Sequence, residues 1–293
     1  MIASGRRIQT PADDPADFRR SIEIQTSQRA AQQFKDSIRQ LKTRADGNFE
    51  TATQLQTLVG RSSEIAIRAS RAYNQSELNI MAGEVNNLLE QAVAYGNRQQ
   101  GGQFLFGGTS LQPGDLDGAA PYVPFRVTRV AGQITLVDYR GNEVVSQVNI
   151  DPVSTFPANV VGQSTVSPGN PRGLFIDGAV GPGQVNVFTA LINLRNRLQA
   201  GAPDPITSMN ELRPVENNVA NVIGFVAANM GRLQLTDETH TRSLITDEET
   251  LGKITNADLA ETIASLRQTQ IAFEGALQSG ARILSQTLLN FLR

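Results

Sequence analysis

The chain has 293 residues, with 26 basic and 28 acidic side chains and a formal net charge of −2. That balance gives no electrostatic basis for binding nucleic acid or an anionic membrane surface. The absence of cysteine excludes disulfides, thiolate metal sites and cysteine nucleophiles, and 5% aromatics without Trp leave a core of aliphatic and Ala contacts.

No apolar run reaches the length of a membrane span. The opening MIASGRRIQTP is polar from its third residue, so no cleavable secretory signal is expected. Residues 4–14 read as a polar loop. A helix then starts at Asp14-Pro15: Asp14 can cap, Pro15 suits the first helical position, and Asp17 stands where a capping-box acid belongs. Steps of four and three residues run through Ile24, Ser27, Ala31, Phe34, Ile38, Leu41, Ala45, Asn48, Ala52, Leu55 and Val59, the seam of a long helix packed along another.

A break is expected at Tyr73-Asn74-Gln75-Ser76, with Asn74 as cap and Glu77 three residues on. The helix after it should bury Leu78, Met81, Val85, Leu88, Ala92 and Tyr95. Composition changes at Gly101. Residues 101–183 hold 14 of the 25 glycines and 8 of the 13 prolines, so long helices cannot persist there. Tyr122–Val130 and Gln133–Tyr139 flank Ala131-Gly132 as a hairpin, Arg140-Gly141-Asn142 turns into a strand over Val144–Ile150, and 151–183 is a loop-rich return.

Helix resumes at Val187–Leu198 and from about Ser208, where Leu212, Val215, Val219, Val222, Val226, Asn229 and Leu233 continue the walk. It becomes polar through Asp237 and His240 before Leu244 and Leu251. Asn256-Ala257-Asp258 interrupts it. The last helix carries Leu259, Ile263, Leu266, Gln270, Phe273, Leu277, Gly280 and Leu284 at the same spacing, and six of these eight are apolar. Each such side chain gains about 1.5–3 kcal/mol on full burial, so the strip needs a long helical partner. The division expected is a helical half over 1–102, an inserted β-rich domain over 103–183, a second helical half over 184–255 and a terminal coiled-coil helix over 256–293. The fold class is mainly α with an inserted β-rich domain.

Catalytic patterns are weak. GGQFLFGGTS (Gly101–Ser110) lacks the Lys of a phosphate loop and has Phe104, Leu105 and Phe106 in its middle, which suits a strand anchoring a helix end. Asp13, Asp14 and Asp17 could hold a hard cation, but capping and solvation account for all three. His240 is the only histidine, and with no G-x-S-x-G or H-E-x-x-H pattern it reads as part of a solvated helix face. No catalytic, metal or cofactor residues are expected, although a ligand site on 103–183 would be the enzymatic alternative.

Four segments resemble the flagellin superfamily. SGRRIQTPADDPA (Ser4–Ala16) resembles its S-G-K-R-I-n-s-p-s-D-D-P-A signature. Arg61–Ile67 is similar to the R-x-x-E-L-a-v run of the first long helix. GQFLFGGT (Gly102–Thr109) resembles the G-x-y-L-F-s-G-T exit from the helical domain. NADLAE (Asn256–Glu261) resembles the start of the C-terminal helix, with Asn256 in place of the usual Asp. The FLFGGT form and the ending ALQSGARILSQTLLNFL resemble those of the superfamily's hook–filament junction branch.

The resemblance implies long antiparallel helices in a flagellin-like rod and a structural, non-enzymatic subunit without cofactor. Its partners would be copies of itself in a ring, hook-associated protein 1 on the hook side, flagellin on the filament side and a flagellar export chaperone. The alternative is a flagellin itself. Location would be the extracellular flagellum, reached through the flagellar secretion apparatus. Assembly contacts would come from Leu259, Ile263, Leu266, Phe273, Leu277 and Leu284. Superfamily members carry a further terminal helix before the signature loop, the usual partner of the C-terminal one. Residues after about Ala260 are therefore expected to be displaced, poorly ordered or held by another molecule.

Overall fold

The computed structural model describes residues 6–72, 74–112, 114, 120–165, 172–178, 183–256 and 259–291, with the side chains of Leu259, Glu261 and 282–291 excepted. The fold is mainly α, 64% helical, with short, mostly antiparallel strands between the helices. The helices are α1 (Pro15–Ala69), α2 (Gln75–Gly96), α3 (Val187–Gln199), α4 (Pro205–Thr255) and α5 (Leu259–Phe291). No helix among the described residues is long and apolar enough to cross a membrane. The chain forms two compact units, one of residues 34–238 and one of residues 1–33 with 239–293.

Short polar side chains open the helices. Asp14 Oδ1 accepts from the Ala16 and Asp17 N–H groups, each at 3.1 Å, and Pro15 follows it. The same Asp-Pro pair starts α4, where Asp204 Oδ1 accepts from the Thr207 N–H at 3.0 Å. Asn74 takes the Glu77 N–H at 3.0 Å to start α2, and Asn186 takes the Thr189 N–H at 3.0 Å to start α3. Each satisfies a backbone donor that has no partner inside its helix.

In the 34–238 unit most of the expected seam is buried, with Phe34 and Asn229 half-buried; nearer the start of α1, Ile24 is half-buried and Ser27 exposed. Ile38, Leu41, Ala45, Asn48, Ala52, Leu55 and Val59 of α1 are buried, as are Leu212, Val215, Val219, Val222, Val226 and Leu233 of α4. The buried face of α2 is rotated from the expected one. Ala82 and Leu89 join Leu78, Val85 and Ala92 inside, while Met81, Leu88 and Tyr95 flank the core half-buried. The α2 helix packs against α3, and a partner on that side turns the stripe by about one residue.

The strands are β1 (Gln99–Gln100), β2 (Gln103–Phe104), β3 (Phe125–Val130), β4 (Gln133–Tyr139), β5 (Gln147–Asp151), β6 (Ser154–Pro157), β7 (Gln163–Ser164), β8 (Ile176–Asp177) and β9 (Val185–Asn186). The β3–β4 hairpin turns at Ala131-Gly132 as expected. The next strand does not extend it. β5 starts later than Val144 and pairs antiparallel with β6, and the stretch read as loop also supplies β7 and β8, which form a small sheet with β9.

β5 and β6 pack through Ile150 and Phe156 on Ile38, Leu41 and Leu233, and the other anchor of the strands is aromatic. Phe106, Phe125, Phe175 and Phe188 are fully buried. The Phe125 ring lies 5.0 Å from those of Phe175 and Tyr139 and 5.1 Å from Phe188, while Phe175 stacks on Phe188 at 5.6 Å. Gly96, at the end of α2, makes room for it: a Cβ there would sit 2.5 Å from the Phe125 ring. Asn97 completes the joint by copying a strand residue, taking the Phe125 N–H at 2.7 Å and donating to its carbonyl at 2.8 Å.

Phe125→Ala should therefore lower unfolding free energy by about 3–5 kcal/mol, and Gly96→Ala by about 1–3 kcal/mol through overpacking, both read from denaturant melts. A second prediction concerns Asp177, a buried carboxylate on β8. Burial raises its pKa above the ordinary value, against the lowering effects of the Gly173 N–H and Arg172. A raised folded pKa makes the ionised form costly, so the cost is absent below the unfolded value and grows as pH rises through the folded one. Asp177→Asn should raise the melting temperature at pH 7 and lose that advantage below about pH 4.

Candidate functional site

The residues singled out for chemistry are used structurally. Phe104, Leu105 and Phe106 are all buried in the core. Arg44, whose pKa is lowered by burial, donates to the Phe104 and Leu105 carbonyls at 3.1 and 3.4 Å. The glycines beside them let the backbone pass close to other chain segments: Gly108 has φ +71°, and a Cβ there would lie 2.0 Å from the Asn142 carbonyl oxygen. Asn142 ties the segment down. Its Oδ1 accepts from the Thr109 and Val144 N–H groups, and its Nδ2 donates to the Thr109 and Ser110 hydroxyls. The Tyr139 hydroxyl lies 2.9 Å from the carbonyl oxygens of Phe106 and Asn142, and burial raises its pKa. These contacts make the segment a packed joint between α1, the strand after α2 and the Asn142 turn.

The acidic trio divides in two. Asp13 Oδ2 accepts from the Gln9 and Thr10 N–H groups at 2.9 and 2.8 Å, which lowers its pKa. Asp14 and Asp17 face the Arg7 guanidinium, at 3.5 and 2.5 Å. His240 is half-buried on α4.

The remaining candidate is the α5 strip. Every described side chain from Ile263 to Ser279 is exposed. Ile263 is 49% exposed, Leu266 38%, Phe273 65% and Leu277 58%. The strip is therefore not docked on the chain's own first helix. The side chains of Leu259 and Leu284 lie outside the described residues. Ile271, 70% exposed, lies off this strip, because it stands two residues before Phe273 and so faces the other side of the helix. Isolated exposed apolar residues are ordinary, but Ile263, Leu266, Phe273 and Leu277 form one continuous exposed apolar row.

The fold is one found among proteins of the bacterial flagellum. The chain is similar to a protein from Vibrio parahaemolyticus assigned as a flagellar hook-associated protein. The TM-score is 0.66 at 16% identity over 83% of this chain and 100% of that one. It is also similar to flagellar hook associated protein-3 from Legionella pneumophila, with TM-score 0.62 at 12% identity over 79% and 98% of the two chains. FlgL from Bacillus cereus gives 0.58 at 18% over 78% and 98%. These identities establish a common fold. No family model matches the sequence, and no curated protein matches it by sequence.

Because the strip is bare in the isolated chain, Leu266→Asp and Phe273→Asp should change unfolding free energy by no more than about 0.5 kcal/mol each. A thermal melt of the purified variants checks this.

Proposed function

We propose that the chain is a structural, non-enzymatic subunit of the bacterial flagellum, placed at the junction between hook and filament in the manner of hook-associated protein 3. One observation carries this reading: an α5 strip of Ile263, Leu266, Phe273 and Leu277 left uncovered by its own chain, on a fold shared with hook-associated proteins. In the assembled ring, α5 of each copy buries its strip against helices of neighbouring copies. Hook-associated protein 1 lies on the hook side and flagellin on the filament side. Residues 256–293 then form the terminal assembly segment and 103–183 the outward insert. Before assembly, an export chaperone covers the strip and the chain passes unfolded through the flagellar secretion channel.

Many contacts of modest strength suit such a ring. Each strip closes as an intramolecular event once its subunit is held by another, so the assembly is far stronger than any one contact. The substitutions Leu266→Asp and Phe273→Asp, introduced together, should leave the 34–238 unit folded and abolish incorporation into the flagellum. Filament growth at parental levels would overturn the assembly role. Electron microscopy of a deletion strain separates the junction role from that of a flagellin. Bare hooks with flagellin monomers in the medium support the junction, and loss of the filament protein itself supports the alternative.

A further inference from the structure

Arg7 lies at the meeting point of two helix ends in the unit of residues 1–33 and 239–293. Its backbone N–H donates to the Thr255 carbonyl at 2.7 Å. Its guanidinium Nη2 donates to the Ile254 carbonyl at 3.0 Å and to Asp17 at 2.5 Å, and Nη1 reaches Asp14 at 3.5 Å. Arg6 next to it forms an antiparallel bridge with Asn256. The two acids sit at the start of α1 and the two carbonyls at the end of α4. A cation thus meets the negative end of one helix and the carboxylates at the positive end of the other.

The two carbonyls are those that continued helix would need. In an α-helix, the Ile254 and Thr255 carbonyls accept from the N–H groups four residues on, at positions 258 and 259. Here Arg7 occupies both. Up to that point α4 is regular, since the Asn256 N–H still donates to the Gly252 carbonyl at 3.0 Å. Local sequence offers no hard stop. From Lys253 to Glu274 there is neither Gly nor Pro, and Asn256 and Asp258 disfavour helix without forbidding it.

We propose that Arg7 is a helix stop supplied from the other end of the chain: by holding the Ile254 and Thr255 carbonyls it ends α4 and so positions the start of α5. Release of Arg7 lets α4 extend towards α5, so the N-terminal strap controls whether the α5 strip leaves as a separate helix or as the continuation of α4. This inference concerns the isolated chain and does not depend on the flagellar reading.

Backbone amide exchange in the full-length protein tests it with two variants. Arg7→Ala removes the guanidinium, and Arg7→Pro removes the N–H as well. If Arg7 only staples the loop to α4, its loss frays the helix end and exchange over residues 254–261 quickens. If Arg7 is a stop, its loss lets helix propagate and exchange over 256–261 slows. The expected result is slowing of about tenfold or more, the effect of a stable helical hydrogen bond, with Arg7→Pro at least as strong as Arg7→Ala. Exchange in α2 and α3, which Arg7 does not touch, serves as the folding control. Unchanged or faster exchange over 256–261 in both variants would overturn the proposal.

Discussion

The cluster of Phe106, Phe125, Phe175 and Phe188 is the contact on which the 34–238 unit depends. Its rings come from four places: the segment after α2, strand β3, the loop before β8, and the first turn of α3. None of the strands around it exceeds seven residues, and isolated pairs of that size are marginal in water. Those next to it hold because they are pinned to buried aromatic surface shared with the helices, while β5 and β6 are held by Ile150 and Phe156 against Ile38, Leu41 and Leu233. In a chain with so few aromatics, concentrating them at one joint lets a Gly- and Pro-rich stretch remain fixed on an aliphatic helical body.

The same chain treats its apolar stripes in two ways. Those of α1 and α4 within the 34–238 unit are closed by helices and strands of that unit. Polar pairs stitch them at the edges, among them Ser63 Oγ donating to Glu216 at 2.5 Å. Among the described residues, the stripe of α5 from Ile263 to Leu277 has no such cover. Helix formation there satisfies the backbone but leaves the apolar side chains in water, so the free energy of burial remains available for another molecule. In the proposed role, that unspent burial drives assembly, and the helical strip already carries the spacing a partner helix would meet.

Much of this was legible in the sequence because helix seams and caps are local signals. The four-three walk marked many of the buried positions of α1 and α4, though it passed over Leu58, Ile65 and Ala66 and included the exposed Ser27. Asn74 was identified as a cap from its type and the Glu77 that follows. Asp204-Pro205 repeats the grammar of Asp14-Pro15, and applying the same rule there places the α4 start three residues before Ser208. The stripe of α2 was read a residue out of phase because Ala82 and Leu89 are as apolar as Met81 and Leu88. Only the neighbour α3 decides which face turns inward. Strand pairing beyond the hairpin was not legible, since β5 and β6 meet through Ile150 and Phe156 on Ile38, Leu41 and Leu233, and β7 and β8 beside the aromatic cluster, all tertiary contacts. The strip itself was readable, because its members recur at the four-three spacing. The carbonyl partners of Arg7 on α4 were hidden because they lie some 250 residues away in sequence.

The central claim is that the α5 strip is covered only by other molecules of the flagellum. Electron cryomicroscopy of the hook–filament junction in intact flagella tests it most directly. The account predicts Ile263, Leu266, Phe273 and Leu277 buried against helices of neighbouring subunits. An α5 whose strip faces open solvent in the assembled junction, or folds back onto α1 of its own chain, would contradict it.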